Sequence, residues 1–444
     1  MMALKFNPRA VVPMLALACV LPAAASNCID ESAVEFQGAE SAPVPPAEPR
    51  VELQSMVRDA ISRSNSVGAA KLLAEAAVSD VQEVKAGALP QVALTGSVGG
   101  QGSTAYGVSE GAGGQVRGGL SISAPLFDGG RINQLTSWRT QLAESARQGM
   151  LSTQEQIAFQ AVSLALERGR YRLQAQVYQQ YARKMSCLVE ALGQIVAADK
   201  GRASELVQAR KTQQQAQLSY LQAQSNVRQM EARLRRFVGD GLPVGQGFSS
   251  VLTRLPAMDE VLAQTERAAD IVALGAQANA AEALARAVVA AQKPQVNWSV
   301  SGTKALGTGN PSGWSAGVNV NVPLYNAAAD PQADAAKKRA DAVRLQKADA
   351  LEARRARVID VHEQASSAFD RAHRIVDVLR DSDRVRNFTL QQWQQLGKRS
   401  LFDVMAAEGD HYNLRISYVN ALYDGQQANA LLWSLGGGIY NWLQ

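Results

Sequence analysis

The chain has 444 residues, of which 46% are hydrophobic and 19% are charged. This composition excludes a disordered tail and a collagen, and the length allows one large domain or two to three ordinary ones. Basic and acidic residues are interleaved and give a formal net charge of only +5 at pH 7. A nucleic-acid-binding surface is therefore not indicated.

The first 25 residues predict a secretory signal peptide. Lys5 and Arg9 precede an apolar run from Ala10 to Leu21, and three small residues end at Ala25. A charged start, a short apolar run and small residues are the parts of a signal that signal peptidase I removes, so we expect cleavage after Ala25. No later segment approaches the roughly 18 uninterrupted apolar residues of a membrane-spanning helix.

The chain contains three cysteines. Cys19 lies inside the predicted signal peptide, Cys28 lies just beyond it, and Cys187 lies in a helical region. A lipoprotein signal places a leucine and two small residues before the acylated cysteine, and neither Cys19 nor Cys28 fits that pattern well. The sequence therefore favours cysteines that are neither lipidated nor paired. Residues 26–50 are rich in proline and predict an extended segment.

The two halves of the chain repeat each other, which predicts an internal duplication with repeats at 51–250 and 251–444. Each half has the order helix, two strands, two very long helices. The matched segments are Leu89–Val92 with Lys293–Val296, Ala124–Phe127 with Val322–Tyr325, Gly201–Ser204 with Gly397–Ser400, and Ser219–Ala223 with Ser417–Ala421.

Four segments alternate strictly between apolar and small polar residues, which predicts strands with two different faces. They lie at about 90–101, 114–126, 294–304 and 314–324, with glycine-rich loops expected at 101–114 and 305–313. About ten residues is the length that a tilted strand needs to cross a bilayer. The alternative is a soluble sandwich with one wet face. The residues predicted to face a wet lumen are Thr95, Ser97, Arg117, Ser121, Asn297, Ser299, Asn319 and Asn321.

Four very long helices are predicted at about 131–196, 203–238, 330–396 and 402–440. The first contains no proline and would extend about 100 Å at 1.5 Å per residue. Apolar and small residues recur in steps of four and three along the second and fourth helices, which is the pattern of a coiled coil. His411 falls on this seam, so we expect a packed histidine rather than a metal ligand.

A signal peptide, a duplicated helix-strand-strand-helix unit and paired Gly-x-x-Ser turns resemble the TolC family of outer-membrane channel proteins. The resemblance implies an α+β membrane protein of the bacterial outer membrane that extends into the periplasm. Three copies would form one twelve-strand β-barrel, with four strands per chain, that continues into a long periplasmic α-helical coiled-coil barrel. The implied partners are two further copies, outer-membrane lipid, a periplasmic adaptor (membrane fusion) protein, and an inner-membrane ABC transporter or RND pump.

The resemblance also implies roles for the turns. Arg399 and Asp403 match gate residues at the periplasmic entrance, although Val207 and Ala406 stand where the family carries further acids. The alternative is that Asp403 only caps the helix that follows the turn. The turns expected to dock the adaptor contain Gly201, Arg202, Ser204, Gly397, Lys398 and Ser400.

The function implied is an outer-membrane duct of a tripartite export system. The poor match to lipoprotein signals and the first turn favour type I protein secretion over multidrug efflux. A surface coiled-coil structural or adhesive protein is the alternative from a different class. We expect no enzyme, catalytic residue, metal or cofactor, because the three histidines are scattered and no nucleophile or phosphate-loop motif occurs.

Overall fold

The computed structural model describes residues 48–105, 108–242, 248–307, 312–396 and 399–444. Side chains are described throughout these ranges except at 101–105, 108–112, 395 and 396. The chain forms two compact units. The strand unit comprises Pro46–Tyr171, Asn226–Val376 and Ser417–Gln444, and the tip unit comprises Arg172–Ser225 and Asp377–Ile416. The predicted signal peptide and the two N-terminal cysteines lie outside the described residues.

The order of elements repeats across the two halves of the chain. The elements are α1 Pro49–Arg63, α2 Asn65–Ala86, β1 Gln91–Ala105, β2 Val108–Phe127, α3 Arg131–Ala198, α4 Ala203–Val238, α5 Met258–Gln264, α6 Ala269–Ala290, β3 Gln295–Gly307, β4 Gly313–Asn321, α7 Ala329–Leu396, α8 Leu401–Leu435 and α9 Ile439–Leu443. Helices α3 and α7 have 68 residues each. No helix within the described ranges is long and apolar enough to cross a membrane.

The four strands form one antiparallel sheet in the order β1-β2-β3-β4. The loop predicted at 101–114 is wrong, because the ladder continues through Gly100 opposite Gly114 and Gln101 opposite Gly113. Glycine is unfavourable in isolated strands, but here backbone pairing on neighbouring strands holds it in place. Strand β3 also runs two residues beyond Ala305, into the other predicted loop.

Three further boundaries differ from the sequence-based expectation. Helix α1 begins at Pro49, inside the segment predicted to be extended, because proline suits the first turn of a helix. Strand β4 ends at Asn321 rather than 324, two residues before Pro323, which has no N–H for the ladder. Helix α8 ends at Leu435 rather than 440 because three glycines follow it, and Gly438 has a φ of 96°.

The core of the strand unit joins α5, α7 and α8. Val358, Val361 and Ala365 of α7 pack with Val261 and Leu432, and all five are buried.

The predicted seam of α4 is buried at Ala209, Ala216, Ala223, Met230 and Leu234. The coiled-coil face predicted for this helix is therefore confirmed.

The segment that connects the two repeats is fixed to α8 by two fully buried amides. Gln426 donates from Nε2 to the carbonyl oxygens of Phe248, Ser249 and Val251 at 3.0, 2.9 and 2.6 Å. Asn429 donates from Nδ2 to carbonyl oxygens of the same segment, at Leu252 (2.7 Å) and Arg254 (2.9 Å). Both residues are 0% exposed. Their hydrogen bonds therefore satisfy backbone carbonyl groups of the connecting segment and anchor it to the interior.

Glu155 and Arg354 hold the end of the chain. The backbone N–H of Ile439 donates to Glu155 Oε1 at 2.6 Å, and that of Tyr440 donates to Oε2 at 3.3 Å. Arg354 donates to the carbonyl oxygen of Leu435 at 2.8 Å and pairs with Asp270. Burial raises the pKa of Glu155, and these N–H groups and the charge of Arg354 oppose the rise.

The tip unit has its own apolar core. It is formed by Met185, Leu188 and Leu192 of α3, Ala209 of α4, Leu390 of α7, and Leu401, Val404 and Met405 of α8. Cys187 is disulfide-bonded, so the expectation that it stays unpaired is wrong.

Candidate functional site

One face of the sheet is polar and built from small side chains. Cross-strand partners share a face, and the partners Thr95 with Gly119 and Gly119 with Thr303 continue this face across three strands. The hydroxyls of Ser301 and Ser315 lie 2.9 Å apart across β3 and β4. By register, all eight residues predicted to face the lumen lie on this one face, namely Thr95, Ser97, Arg117, Ser121, Asn297, Ser299, Asn319 and Asn321.

The opposite face of the sheet is apolar. Its members include Val92, Leu94, Val98, Val116, Leu120, Ile122, Trp298, Val300, Trp314, Val318 and Val320. Many of these side chains are exposed in a single chain: Leu94 is 83% exposed and Trp314 is 82% exposed. A contiguous apolar surface of this kind needs a hydrophobic environment.

The turn between α3 and α4 is closed by Asp199. Its Oδ1 accepts from the N–H of Gly201 at 2.9 Å. Arg202 and Glu205 pair at 3.4 Å, three residues apart. Ser204 is exposed, and Val207, which follows Glu205 by two residues, is 67% exposed. This turn therefore presents one compensated charge pair and an exposed apolar residue.

The turn before α8 carries a reciprocal cap. The N–H of Ser400 donates to Asp403 Oδ2 at 3.2 Å, and the N–H of Asp403 donates to Ser400 Oγ at 3.3 Å. Arg399 lies 3.9 Å from Asp403 and donates to Gln392 Oε1 at 3.2 Å. Asp403 thus both caps α8 and carries charge beside Arg399. Gly397 and Lys398 lie outside the described residues.

A buried group of charges joins three helices of the tip unit. Glu408 of α8 is 0% exposed and lies 3.7 Å from Lys184 Nζ of α3 and 3.6 Å from Arg386 Nη1 of α7. Lys184 and Arg386 are themselves buried, and Arg386 also pairs with Asp383 at 2.8 Å. We call Lys184, Arg386 and Glu408 the buried triad.

Aromatic side chains lie around the buried triad. Tyr181 stacks on Tyr412 with ring centroids 4.8 Å apart, and Arg415 lies over the Tyr412 ring at 5.3 Å. Burial, together with the negative charges of Glu408 and Asp410, raises the pKa of Tyr181 to about 12. His411 is buried against Tyr412, as expected for a residue on the packing seam. Among the described residues, no cluster of His, Cys, Asp and Glu could hold a metal ion.

Residues 56–240 match the family model described as "Outer membrane efflux protein". Three solved structures share the fold over most of their length. CusC matches with a TM-score of 0.77 and 18% identity, covering 91% of this chain and 96% of that chain. VceC of Vibrio cholerae matches with a TM-score of 0.75 and 17% identity, covering 88% of this chain and 97% of that chain. MtrE of Neisseria gonorrhoeae, in its open state, matches with a TM-score of 0.74 and 18% identity, covering 91% of this chain and 95% of that chain.

Residues 56–240 thus match the outer membrane efflux protein family, and the fold of the chain is that of TolC-like outer-membrane channels. Among curated proteins, no sequence matches it significantly. Proteins of this family and the matched structures are outer-membrane channels that extend into the periplasm. The predicted fold class is confirmed in the described chain: the order of elements is duplicated, and four strands form one antiparallel sheet that is joined to very long helices. Channels of this family are homotrimers that work with periplasmic adaptors and inner-membrane pumps.

The resemblance to the TolC family pointed to the turns but not to the buried triad. The positions three and four residues to either side of Glu408 are Val404, Met405, His411 and Tyr412, and all are buried. Helical periodicity alone therefore places Glu408 on the packed face of α8. A carboxylate on such a face requires cationic partners, which is the signal that could have identified the triad.

Proposed function

We propose that this chain forms the outer-membrane duct of a tripartite export system, which passes cargo from an inner-membrane pump and a periplasmic adaptor to the exterior. The two-faced sheet carries the proposal. In a closed barrel the apolar face contacts lipid and the polar face lines the lumen. A sheet of this kind therefore suits the wall of a water-filled channel.

The faces can be tested by two neighbouring substitutions on β4. Val318 lies on the apolar face and Asn319 on the polar face. Arginine facing lipid at mid-membrane costs about 2–4 kcal/mol, whereas arginine facing a wet lumen costs little. We therefore expect Val318→Arg to reduce the amount of trimer in outer membranes, while Asn319→Arg leaves it unchanged. Equal yields of the two variants would contradict the assignment of the faces.

We assign adaptor docking to the two turns of the tip unit and the gate to Arg399 and Asp403. Support comes from the exposed Ser204 and from the charges at Arg202 and Arg399, which are accessible to a partner. A photo-crosslinking residue at Ser204 should capture the adaptor in cells, whereas one at Lys71, another exposed position, on α2, should not. Capture from both positions, or from neither, would contradict docking at the turns.

For the cargo we propose protein secretion through an ABC transporter. It is supported by the match of residues 23–25 to a signal peptidase I site and by the poor match of Cys19 and Cys28 to lipoprotein signals. The second candidate is small-molecule efflux through an RND pump, which the description of the matched family favours.

Deletion of the gene separates the two cargo classes. Loss of one or more secreted proteins from the medium, with drug tolerance unchanged, is the result expected for protein secretion. Increased drug sensitivity with an unchanged set of secreted proteins would assign the chain to efflux. For the duct itself, purified protein should form conducting pores in planar bilayers. A surface coiled-coil protein would form none.

A further inference from the structure

Arg117 is unusual for the surface on which it lies. Among the described side chains on the polar face of β1 to β4, it is the one ionisable group; the others are serine, threonine, asparagine, glutamine, glycine, alanine and proline. It is exposed, and it lies opposite Ser97 on β1 and Ala305 on β3, both uncharged. Its described hydrogen bond is to Gln115 Oε1, a neutral acceptor 3.4 Å from Nη2.

The level of Arg117 along the sheet follows from the register. Its partner Ala305 is two residues from the end of β3, and the N–H of Ala305 donates to Ser312 Oγ, which lies just before β4. Helices α2, α3, α6 and α7 adjoin the other ends of the strands. Arg117 therefore lies toward the strand connections, away from the helices to which the strands are joined.

We propose that Arg117 from three copies forms a cationic ring near the outer mouth of the lumen, and that this ring makes the barrel favour anions over cations. The proposal rests on the duct function above, which places the polar face toward the lumen. Rings of charged side chains are a general means by which pores select ions by sign. The uncharged surroundings of Arg117 leave its charge uncompensated within the described part of the wall.

Distance decides whether such a ring can act. Twelve strands about 4.8 Å apart and tilted by about 40° enclose a wall roughly 12 Å from the axis. The Debye length is about 10 Å at 0.1 M salt and about 3 Å at 1 M. Guanidinium groups projecting inward from this wall thus influence ions on the axis at low salt and lose that influence at high salt.

Lys304 provides a matched control. It lies opposite Gly118, the residue after Arg117, so the two cations are at nearly the same level of the sheet. By register Lys304 belongs to the apolar face, next to Leu306 and Val116. The two side chains carry the same charge and lie at nearly the same level along the sheet, but on opposite faces.

The test is the reversal potential of full-length protein in planar bilayers under a KCl gradient. We compare wild type, Arg117→Ser, Arg117→Lys, Arg117→Glu and Lys304→Ser. In about 0.1 M KCl, the chloride-to-potassium permeability ratio should fall about two-fold in Arg117→Ser. It should fall further in Arg117→Glu and stay at the wild-type value in Arg117→Lys and Lys304→Ser. In about 1 M KCl the variants should converge.

The outcomes separate this inference from the function on which it rests. Wild-type pores whose permeability ratio is the same in Arg117→Ser and Arg117→Glu would overturn the ring and leave the duct intact. A shift of equal size in Lys304→Ser would also overturn it, because the effect would then be independent of the face. Absence of any pore in wild type would overturn the duct itself.

Discussion

Two groups of ion pairs in the tip unit differ in almost every physical respect. The buried triad joins three helices and its carboxylate is 0% exposed, whereas the side chains of Arg399 and Asp403, four residues apart on one turn, are 54% and 45% exposed. Water and salt weaken the exposed pair, and measured pairs of that kind contribute about 0–1 kcal/mol. A buried charge that loses its partners destabilises a protein by about 3–5 kcal/mol.

The difference teaches that the two groups have different tasks. The exposed pair can be broken and remade with little energy, which suits residues proposed to act in a gate. The buried triad cannot change partners without leaving a charge in an apolar interior, so it fixes α3, α7 and α8 in one arrangement. We infer that the triad sets the geometry against which any movement of the turn occurs.

The largest effect is expected for Glu408→Ala. This change leaves Lys184 and Arg386 without the carboxylate between them, and we expect the free energy of unfolding of the trimer to fall by about 3–5 kcal/mol per chain. The pKa of Tyr181 should also fall from about 12 toward its ordinary value, because Glu408 contributes to the rise. Chemical denaturation and a spectroscopic pH titration measure the two effects.

Asp410→Ala is the matched control for Glu408→Ala. Asp410 lies two residues along the same helix and is exposed, so its removal should change stability by no more than about 0.5 kcal/mol. Equal losses in the two variants would mean that burial does not distinguish the triad from ordinary surface charge.

A second, opposite effect is expected when all three charges are removed together. The triple variant Lys184→Met, Arg386→Met, Glu408→Leu replaces the triad by apolar side chains of similar size. Such replacements are often neutral or stabilising by about 1–4 kcal/mol. We expect denaturation to show a stability at or above that of wild type. A loss as large as that of Glu408→Ala would show that the triad contributes stability as well as specific geometry.

Asp403 should show a smaller effect with two separable parts. Asp403→Ala removes the half of the reciprocal cap in which the carboxylate accepts from the N–H of Ser400, and it should reduce stability by about 1 kcal/mol. Asp403→Asn keeps a capping oxygen and removes only the charge. If Asp403 belongs to the gate, loss of its negative charge should raise the chloride-to-potassium permeability ratio in bilayers in both variants. A change in the alanine variant alone would leave Asp403 as a helix cap.

The smallest change in stability is expected for Arg399→Ser. Arg399 lies 3.9 Å from Asp403 and both side chains are about half exposed. The free energy of unfolding, measured by denaturation, should therefore change by no more than about 1 kcal/mol. Conductance of the trimer should nevertheless rise, since three symmetric copies of a gate residue are lost at once. Unchanged conductance at unchanged stability would place the gate elsewhere in the chain.

Much of the fold could be predicted from the sequence because its patterns are strict. The alternation of Trp298, Val300 and Val318 with serine and asparagine assigned both faces of the sheet before any register was known. The glycine-rich ends of β1 and β2 could not be predicted, because their pairing depends on neighbouring backbones rather than on side chains. The role of Asp403 was predicted from the resemblance to the TolC family. Its reciprocal hydrogen bonds with Ser400 could be identified only in the structure.

The buried amides of Gln426 and Asn429 bear on how the chain is made. They hold the segment 248–254, which connects the two repeats, yet they belong to a helix that the ribosome completes about 180 residues later. Although the two repeats are copies of one unit, the junction between them cannot reach its final state while the second copy is still being synthesised. A nascent chain stopped before residue 426 should therefore be cut by protease within 248–254, and release of the complete chain should close that site.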